Sequence, residues 1–136
     1  MKVFVDTNVL LDVLAERREF YADAMRVWTL AEAGRLDGYV AAISFSNCYY
    51  LVHKYAGRRR AEQAIRLLRD VFTPVDLTAQ LLHQAMDAGF SDFEDAIQFH
   101  SAVHARASCL ITRNPGHFPG TPLSILSPAE FLGIHA

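Results

Sequence analysis

The chain has 136 residues, 51% of them hydrophobic, and a formal net charge of -2. That is enough apolar material for one real core and gives no bulk attraction to nucleic acid, so any such contact needs a local basic patch. Cys48 and Cys109 lie far apart in apolar segments, which suits buried free thiols in a reducing compartment and cannot by itself make a zinc site. Asp6 and Asp12 interrupt any signal-peptide core, and no apolar run is long enough to cross a bilayer. The expectation is a soluble cytoplasmic protein with a single domain over residues 1–136.

In chain order, Lys2 to Val5 is β-branched and aromatic without a turn residue, which predicts a buried strand ending on Asp6. Thr7 and Asn8 are helix-capping types, and Val9, Leu10, Val13 and Leu14 continue at helical spacing to a solvated end at Arg18. Phe20 to Gly34 predicts a helix that the glycine closes, Gly38 to Ile43 a strand, and Ser44 to Tyr55 a helix that Gly57 breaks. Arg58 to Val71 is helical with an apolar stripe, and Phe72 to Val75 a short strand. Thr78 to Ala88 is a helix capped by Thr78 and ended by Gly89. Ser91 to Ala107 is a helix, Ser108 to Thr112 a strand, Leu123 to Leu126 a last strand and Pro128 to Leu132 a terminal helix. Pro115, Gly116, Pro119, Gly120 and Pro122 make the connection before the last strand a loop. Strands separated by helices imply βαβ units. The fold class is therefore α/β: a three-layer α/β/α sandwich around a mostly parallel sheet of about five strands.

Three stretches carry chemistry. Asp6 stands where a strand ends and a helix begins; it either caps that helix or, at the carboxyl end of a sheet, holds a cation. In Ser91-Asp92-Phe93-Glu94-Asp95-Ala96-Ile97, Ser91 and Glu94 fit a capping box, and Asp92 and Asp95 share a face. First-turn acids favour the helix dipole, which explains all three structurally, but Asp95 adjoins a heavily apolar surface where like charges call for a cation. Leu110-Ile111-Thr112-Arg113-Asn114 is a second apolar strand ending in polar groups. If Cys109 to Thr112 lies beside Lys2 to Val5, then Asp6, Asp92, Asp95 and Asn114 converge, an all-oxygen set suited to magnesium or manganese and not zinc.

The order Val-Asp-Thr-Asn-Val-Leu-Leu-Asp, Asp-Phe-Glu-Asp-Ala-Ile-Gln and Leu-Ile-Thr-Arg-Asn-Pro, followed by Phe118, resembles the PIN domain family, including the toxin ribonucleases of bacterial VapBC toxin–antitoxin pairs. The resemblance covers nearly the whole chain. It implies a parallel sheet with helices on both faces and a Mg2+- or Mn2+-dependent endoribonuclease, with RNA as substrate, a cognate antitoxin as partner and a homodimer as assembly. It carries metal-ligand roles onto Asp6, Asp95, Asp92 and Asn114, with Asp6, Asp92 and Asp95 catalytic, and supporting roles onto Thr7, Asn8 and Thr112. One position departs: the family places a Glu on the helix after the second strand, where this chain has Asn47. An amide ligates a hard cation without supplying charge. The resemblance therefore also admits a weak or inactive module that binds RNA or protein.

Other features have bland readings. His100 and His104 have the spacing of a zinc pair but no third ligand. Arg58, Arg59, Arg60 and Lys54 suit a solvated helix start, RNA phosphates or a partner protein. Arg113, beside the site, is the better phosphate contact. Trp28, Tyr49 and Tyr50 could stack bases, but their helical spacing better fits core or dimer surface, and Asp12 and Asp76 are structural. A phosphoacceptor receiver domain would need an acidic pair after the first strand and a late strand-end lysine; Lys2 and Lys54 are the only lysines.

Overall fold

A computed structural model describes residues 1–119 and 122–135. The elements run β1 (Lys2–Val5), α1 (Thr7–Leu14), α2 (Tyr21–Glu32), β2 (Asp37–Ala41), α3 (Ala42–Ala56), α4 (Arg58–Val71), β3 (Thr73–Val75), α5 (Ala79–Asp87), α6 (Phe93–His104), β4 (Cys109–Ile111), β5 (Ser124–Leu126) and α7 (Pro128–His135). The strands form one five-stranded sheet in the order β3-β2-β1-β4-β5. Every pairing is parallel.

This order places the site. From β1 the chain winds outward through β2 to β3, then crosses back to add β4 and β5 on the other side of β1. The winding therefore reverses between β1 and β4, and in open parallel sheets the crevice at such a switch point is where ligands bind. Val5 pairs with Ile111, so the residues that follow them, Asp6 and Thr112, emerge side by side at the carboxyl end. The Asp6 N–H still donates to Ile111 O at 2.9 Å.

Alternation along β1 builds two cores. Val3 and Val5 face one side, packed with Leu10, Val27, Trp28, Cys48, Leu68 and Phe131. Phe4 faces the other, with Phe99, Ala102, Leu110 and Phe118. Helices thus cover both faces, as a central parallel strand apolar throughout requires.

The predicted elements are all present, with boundaries moved where local chemistry overrides periodicity. The first helix stops at Leu14 and not Arg18; Glu16 takes a left-handed φ of 49° that ends it. α3 begins directly after β2, at Ala42. Gly57, at φ 88°, is the single residue between α3 and α4, a conformation that favours glycine. The loop before β5 contains a 3-10 turn over Pro115–His117, and Gly120 lies outside the described residues. The terminal helix continues to His135. Among the described residues no helix is long and apolar enough to cross a membrane.

Candidate active site

Asp6 is the N-cap of α1 by position, yet its side chain makes no capping hydrogen bond. The carboxylate instead accepts from the Thr112 hydroxyl, Oγ1 to Oδ2, at 2.8 Å. Side-chain capping therefore does not account for the Asp6 carboxylate. Asp6 is only 4% exposed. Burial pushes its carboxyl group up to about 6; Asp95 and Glu94 add like charge, and the Thr112 hydrogen bond pulls back. Among the described residues no Lys, Arg or His pairs with it.

Around this carboxylate the polar groups are fixed in place. The fully buried Thr112 also accepts from Asn8 Nδ2 at 3.4 Å and from the Asn114 N–H at 3.2 Å. Its own hydrogen is thereby committed to Asp6. Asn8 Oδ1 accepts from the Arg113 N–H at 3.3 Å, which binds the start of α1 to the end of β4. Behind Asp6, the Thr7 and Ser44 hydroxyls lie 2.7 Å apart, and the buried Gln98 amide donates to both, at 3.1 and 3.4 Å. This network joins α1, α3 and α6, the three helices that bear Thr7, Asn47 and Asp95.

The start of α6 differs from the capping box that Ser91 and Glu94 suggest. Asp92 is the N-cap, its Oδ1 accepting from the Asp95 N–H at 3.2 Å. A cap one residue later leaves the Glu94 side chain free of that duty, and its Oε1 accepts from Asn47 Nδ2 at 3.0 Å. Asp95 is half-buried, and its Oδ2 lies 3.4 Å from His117 Nδ1. Burial and Asp92 push the Asp95 carboxyl group up while His117 pulls it back. Burial, then Asp92 and Asp95, raise Glu94.

Two sequence expectations change. Arg113 is not a free phosphate contact: its guanidinium grips Asp12 with two hydrogen bonds and stacks over Phe20, 4.1 Å from the ring centroid. Asn114 stands at the same sheet edge but is exposed, and it opens the 3-10 turn without a side-chain cap. His100 and His104 do not converge on a ligand either: His104 bonds Gln84 at 2.8 Å, and His100 packs against Phe99 and Phe90.

Ser44, Gln98, Glu94 and His117 were invisible as site residues in the sequence. A lone Gln on an apolar helix face is a weak signal that only its burial resolves, and His117 follows a proline–glycine pair with no periodicity to place it.

The donors fit a hard divalent cation in chemistry. Asp6 is a buried anion with two like charges in range and no counter-charge, the circumstance in which a carboxylate needs a cation or a proton. Among the described residues no three His, Cys, Asp or Glu side chains stand close enough to hold a metal ion between them. Asp6, Asp92 and Asp95, expected to converge, therefore do not form a closed ligand set of their own.

Comparison with known proteins agrees with this geometry. A family model described as PIN domain matches residues 2–115. Ribonuclease VapC1 of Aquifex aeolicus is 25% identical over 96% of this chain and 92% of its own. A toxin–antitoxin complex from Klebsiella pneumoniae contains a chain of similar fold, with a TM-score of 0.68, 23% identity and coverage of 93% and 97%. VapC20 of Mycobacterium tuberculosis, a sarcin–ricin-loop-cleaving toxin, superposes with a TM-score of 0.64 at 20% identity, over 79% of this chain and 86% of that one.

Proposed function

Because the chain belongs to the PIN domain family, we propose that it is a magnesium- or manganese-dependent endoribonuclease, the toxin of a type II toxin–antitoxin pair, that hydrolyses RNA phosphodiester bonds. The observation that carries this reading is the buried, ionically unpartnered Asp6 at the switch point, with acids from α6 in electrostatic range. Supporting it, Ribonuclease VapC1 aligns across nearly the whole chain.

Asp6 and Asp95 are the residues that would hold the cation, with Asp92 acting through water or as a base. When bound, the cation makes water a nucleophile near neutral pH and offsets charge gathering on a phosphate. Thr112 fixes which oxygen of Asp6 faces outward by donating to the other. Asn8 and the Asn114 N–H hold Thr112 in turn. Thr7, through Gln98 and Ser44, fixes the spacing of α1, α3 and α6. His117 orients Asp95. Asn47 supports the site by its hold on Glu94, and Asn114 marks its outer rim.

The partners in this reading are RNA, a cognate antitoxin and a second copy of the chain, in the cytoplasm. The toxin–antitoxin complex of similar fold supports an antitoxin. For the homodimer, exposed Tyr50 and Tyr55 on α3 offer apolar surface, as does the groove along α2 lined by Tyr21, Met25, Leu30 and Leu132.

The test is RNA cleavage by purified protein with Mn2+, Mg2+ or chelator, beside Asp6→Asn. Cleavage that needs the cation and is lost in Asp6→Asn supports the assignment. A wild type that cuts no RNA in either metal, and is not stabilised by it, overturns the assignment in favour of a binding module.

A further inference from the structure

Trp28, Tyr49 and Tyr50 all carry rings that could stack on a base, and the fold separates them. Trp28 is 4% exposed and packs edge-on against Phe72, so it belongs to the core. Tyr50 is 62% exposed. It lies on α3, which starts directly after the carboxyl end of β2. Asn47, three residues before it, bonds Glu94 at the start of α6. Tyr50 lines a cleft with Thr7, Asn47 and Glu94, and Thr7 is the residue after Asp6.

A second cleft, of about 450 Å³, continues from the first and shares Ser46 and Tyr50 with it. Its other walls are Tyr49, His53 and Lys54. The Tyr49 and His53 rings lie 5.7 Å apart between centroids, inclined by 33°. Lys54 is exposed, with its Nζ 5.6 Å from the ring centroid of exposed Tyr55. Arg58 and Arg59 follow at the start of α4 and carry positive charge beyond the lysine. Among the described residues neither Lys54 nor Arg59 has an ion-pair partner. No Leu, Ile, Val or Met lines the second cleft, so its apolar surface is ring face. Ring faces interleaved with cations suit an unpaired nucleic-acid strand: bases of any identity stack on the rings, and phosphates meet the charges. In a chain of net charge -2 this is the local basic patch that such contact needs. A paired RNA helix keeps its base faces stacked inside and offers these rings nothing.

We propose that this face of α3 is the track for a single-stranded segment of RNA leading away from the site. Tyr50 stacks the base nearest the site, Tyr49 and His53 stack the next, and Lys54 with Arg59 holds the phosphates. The inference rests on RNA as the substrate of the nuclease reading and narrows it to unpaired RNA. It assigns Tyr50 to RNA and leaves the α2 groove to a second copy of the chain.

The test is binding of a short fluorescein-labelled uridine oligonucleotide to the full chain, read by anisotropy in chelator so that no cleavage intervenes. Tyr50→Leu keeps apolar bulk and loses the ring face; it should weaken binding about 10-fold. Tyr50→Phe keeps the ring and should bind as wild type does. Lys54→Gln should weaken binding at low salt and remove about one phosphate contact from the salt dependence. Arg106→Gln, which removes an exposed cation beyond the end of α6, should change neither. Wild-type affinity in Tyr50→Leu or in Lys54→Gln overturns the proposal, as does a fully paired RNA bound as tightly as the single strand. A loss of affinity that appears only with a changed oligomeric state in light scattering overturns it too, and makes this face a contact between copies. If wild type cuts RNA with Mn2+ while both variants bind as it does, only the track falls. If wild type binds the strand, both variants weaken it and no RNA is cut in either metal, the track stands and the nuclease reading falls.

Discussion

Arg113 and Asp12 form a two-pronged ion pair, Nε to Oδ2 at 3.1 Å and Nη2 to Oδ1 at 3.0 Å, across 101 residues of sequence. Asp12 is fully buried, and Arg17 also approaches its Oδ1, at 3.7 Å. Burial raises the Asp12 carboxyl group, and the two arginines pull it back. The pair fastens the loop after β4 to α1, and with it Thr112 and Asn114.

Breaking that pair leaves a buried charge with one weaker partner. Arg113→Ala should therefore destabilise the fold by about 3 kcal/mol, the low end for a broken buried pair, because Arg17 remains. Arg113→Lys should recover only part, since an ammonium cannot match the two-pronged geometry. Urea unfolding measures both. Well below the melting temperature, KM for RNA should be unchanged in Arg113→Lys. A raised KM with unchanged stability would return Arg113 to the role of a phosphate contact.

Asp6 sets a second expectation, about pH. Its folded carboxyl group titrates near 6 against an ordinary 3.8. The folded chain thus holds this proton more tightly than the unfolded chain, and the group subtracts stability as pH rises from about 4 to about 6. The loss reaches about 3 kcal/mol above that range. Asp6→Asn should then be more stable than metal-free wild type at pH 7.5, with the gap closing toward pH 4. Denaturant unfolding in chelator at both ends checks this. Saturating Mn2+ should reverse the order, because a ligand that binds only the folded state stabilises it by mass action.

Much of this was legible in the sequence for physical reasons. An apolar strand that stops on polar groups is a local pattern: β1 stops on Asp6 and β4 on Thr112. The parallel sheet follows from alternation, and the switch point from topology. What escaped was long-range or ambiguous. The partner of Arg113 lies 101 residues away, so the guanidinium looked free for phosphate. Ser91 and Glu94 matched a capping box, a common use for that spacing, so Glu94 was assigned to the helix end. Asp92 won because its extended φ and ψ, -120° and 117°, let its carboxylate reach the Asp95 N–H. Gln98 carries no periodicity signal, and only its burial between two hydroxyls reveals it.

Gly38 tests the packing on the α2 side of the sheet. A Cβ built there would meet the Phe72 ring at 2.5 Å and Ala31 Cβ at 3.3 Å. Phe72 cannot easily yield, because it is buried and stacked edge-on against Trp28 at a centroid distance of 5.0 Å. Gly38→Ala should cost about 1–3 kcal/mol, the usual range for overpacking. Mn2+ affinity of the folded fraction should be unchanged, since β2 supplies no site acid. A neutral substitution by thermal melt would mean that Trp28 and Phe72 shift together.

Thr112 gives the last expectation, and it concerns tuning of the site itself. Its single hydroxyl hydrogen goes to Asp6 at 2.8 Å, and that bond holds the Asp6 carboxyl group below where burial alone would place it. Thr112→Val keeps volume and branching but removes the donor. Asp6 should then titrate above its present value of about 6. Protons and cations compete for the same carboxylate. The pH at which Mn2+ affinity falls by half should therefore move upward in Thr112→Val, while Thr112→Ser should keep the wild-type profile. Calorimetric titration with Mn2+ across a pH series reads this directly. A Thr112→Val profile that overlays wild type would show that the hydroxyl only fills space between α1 and β4, and that some other group sets the charge on Asp6.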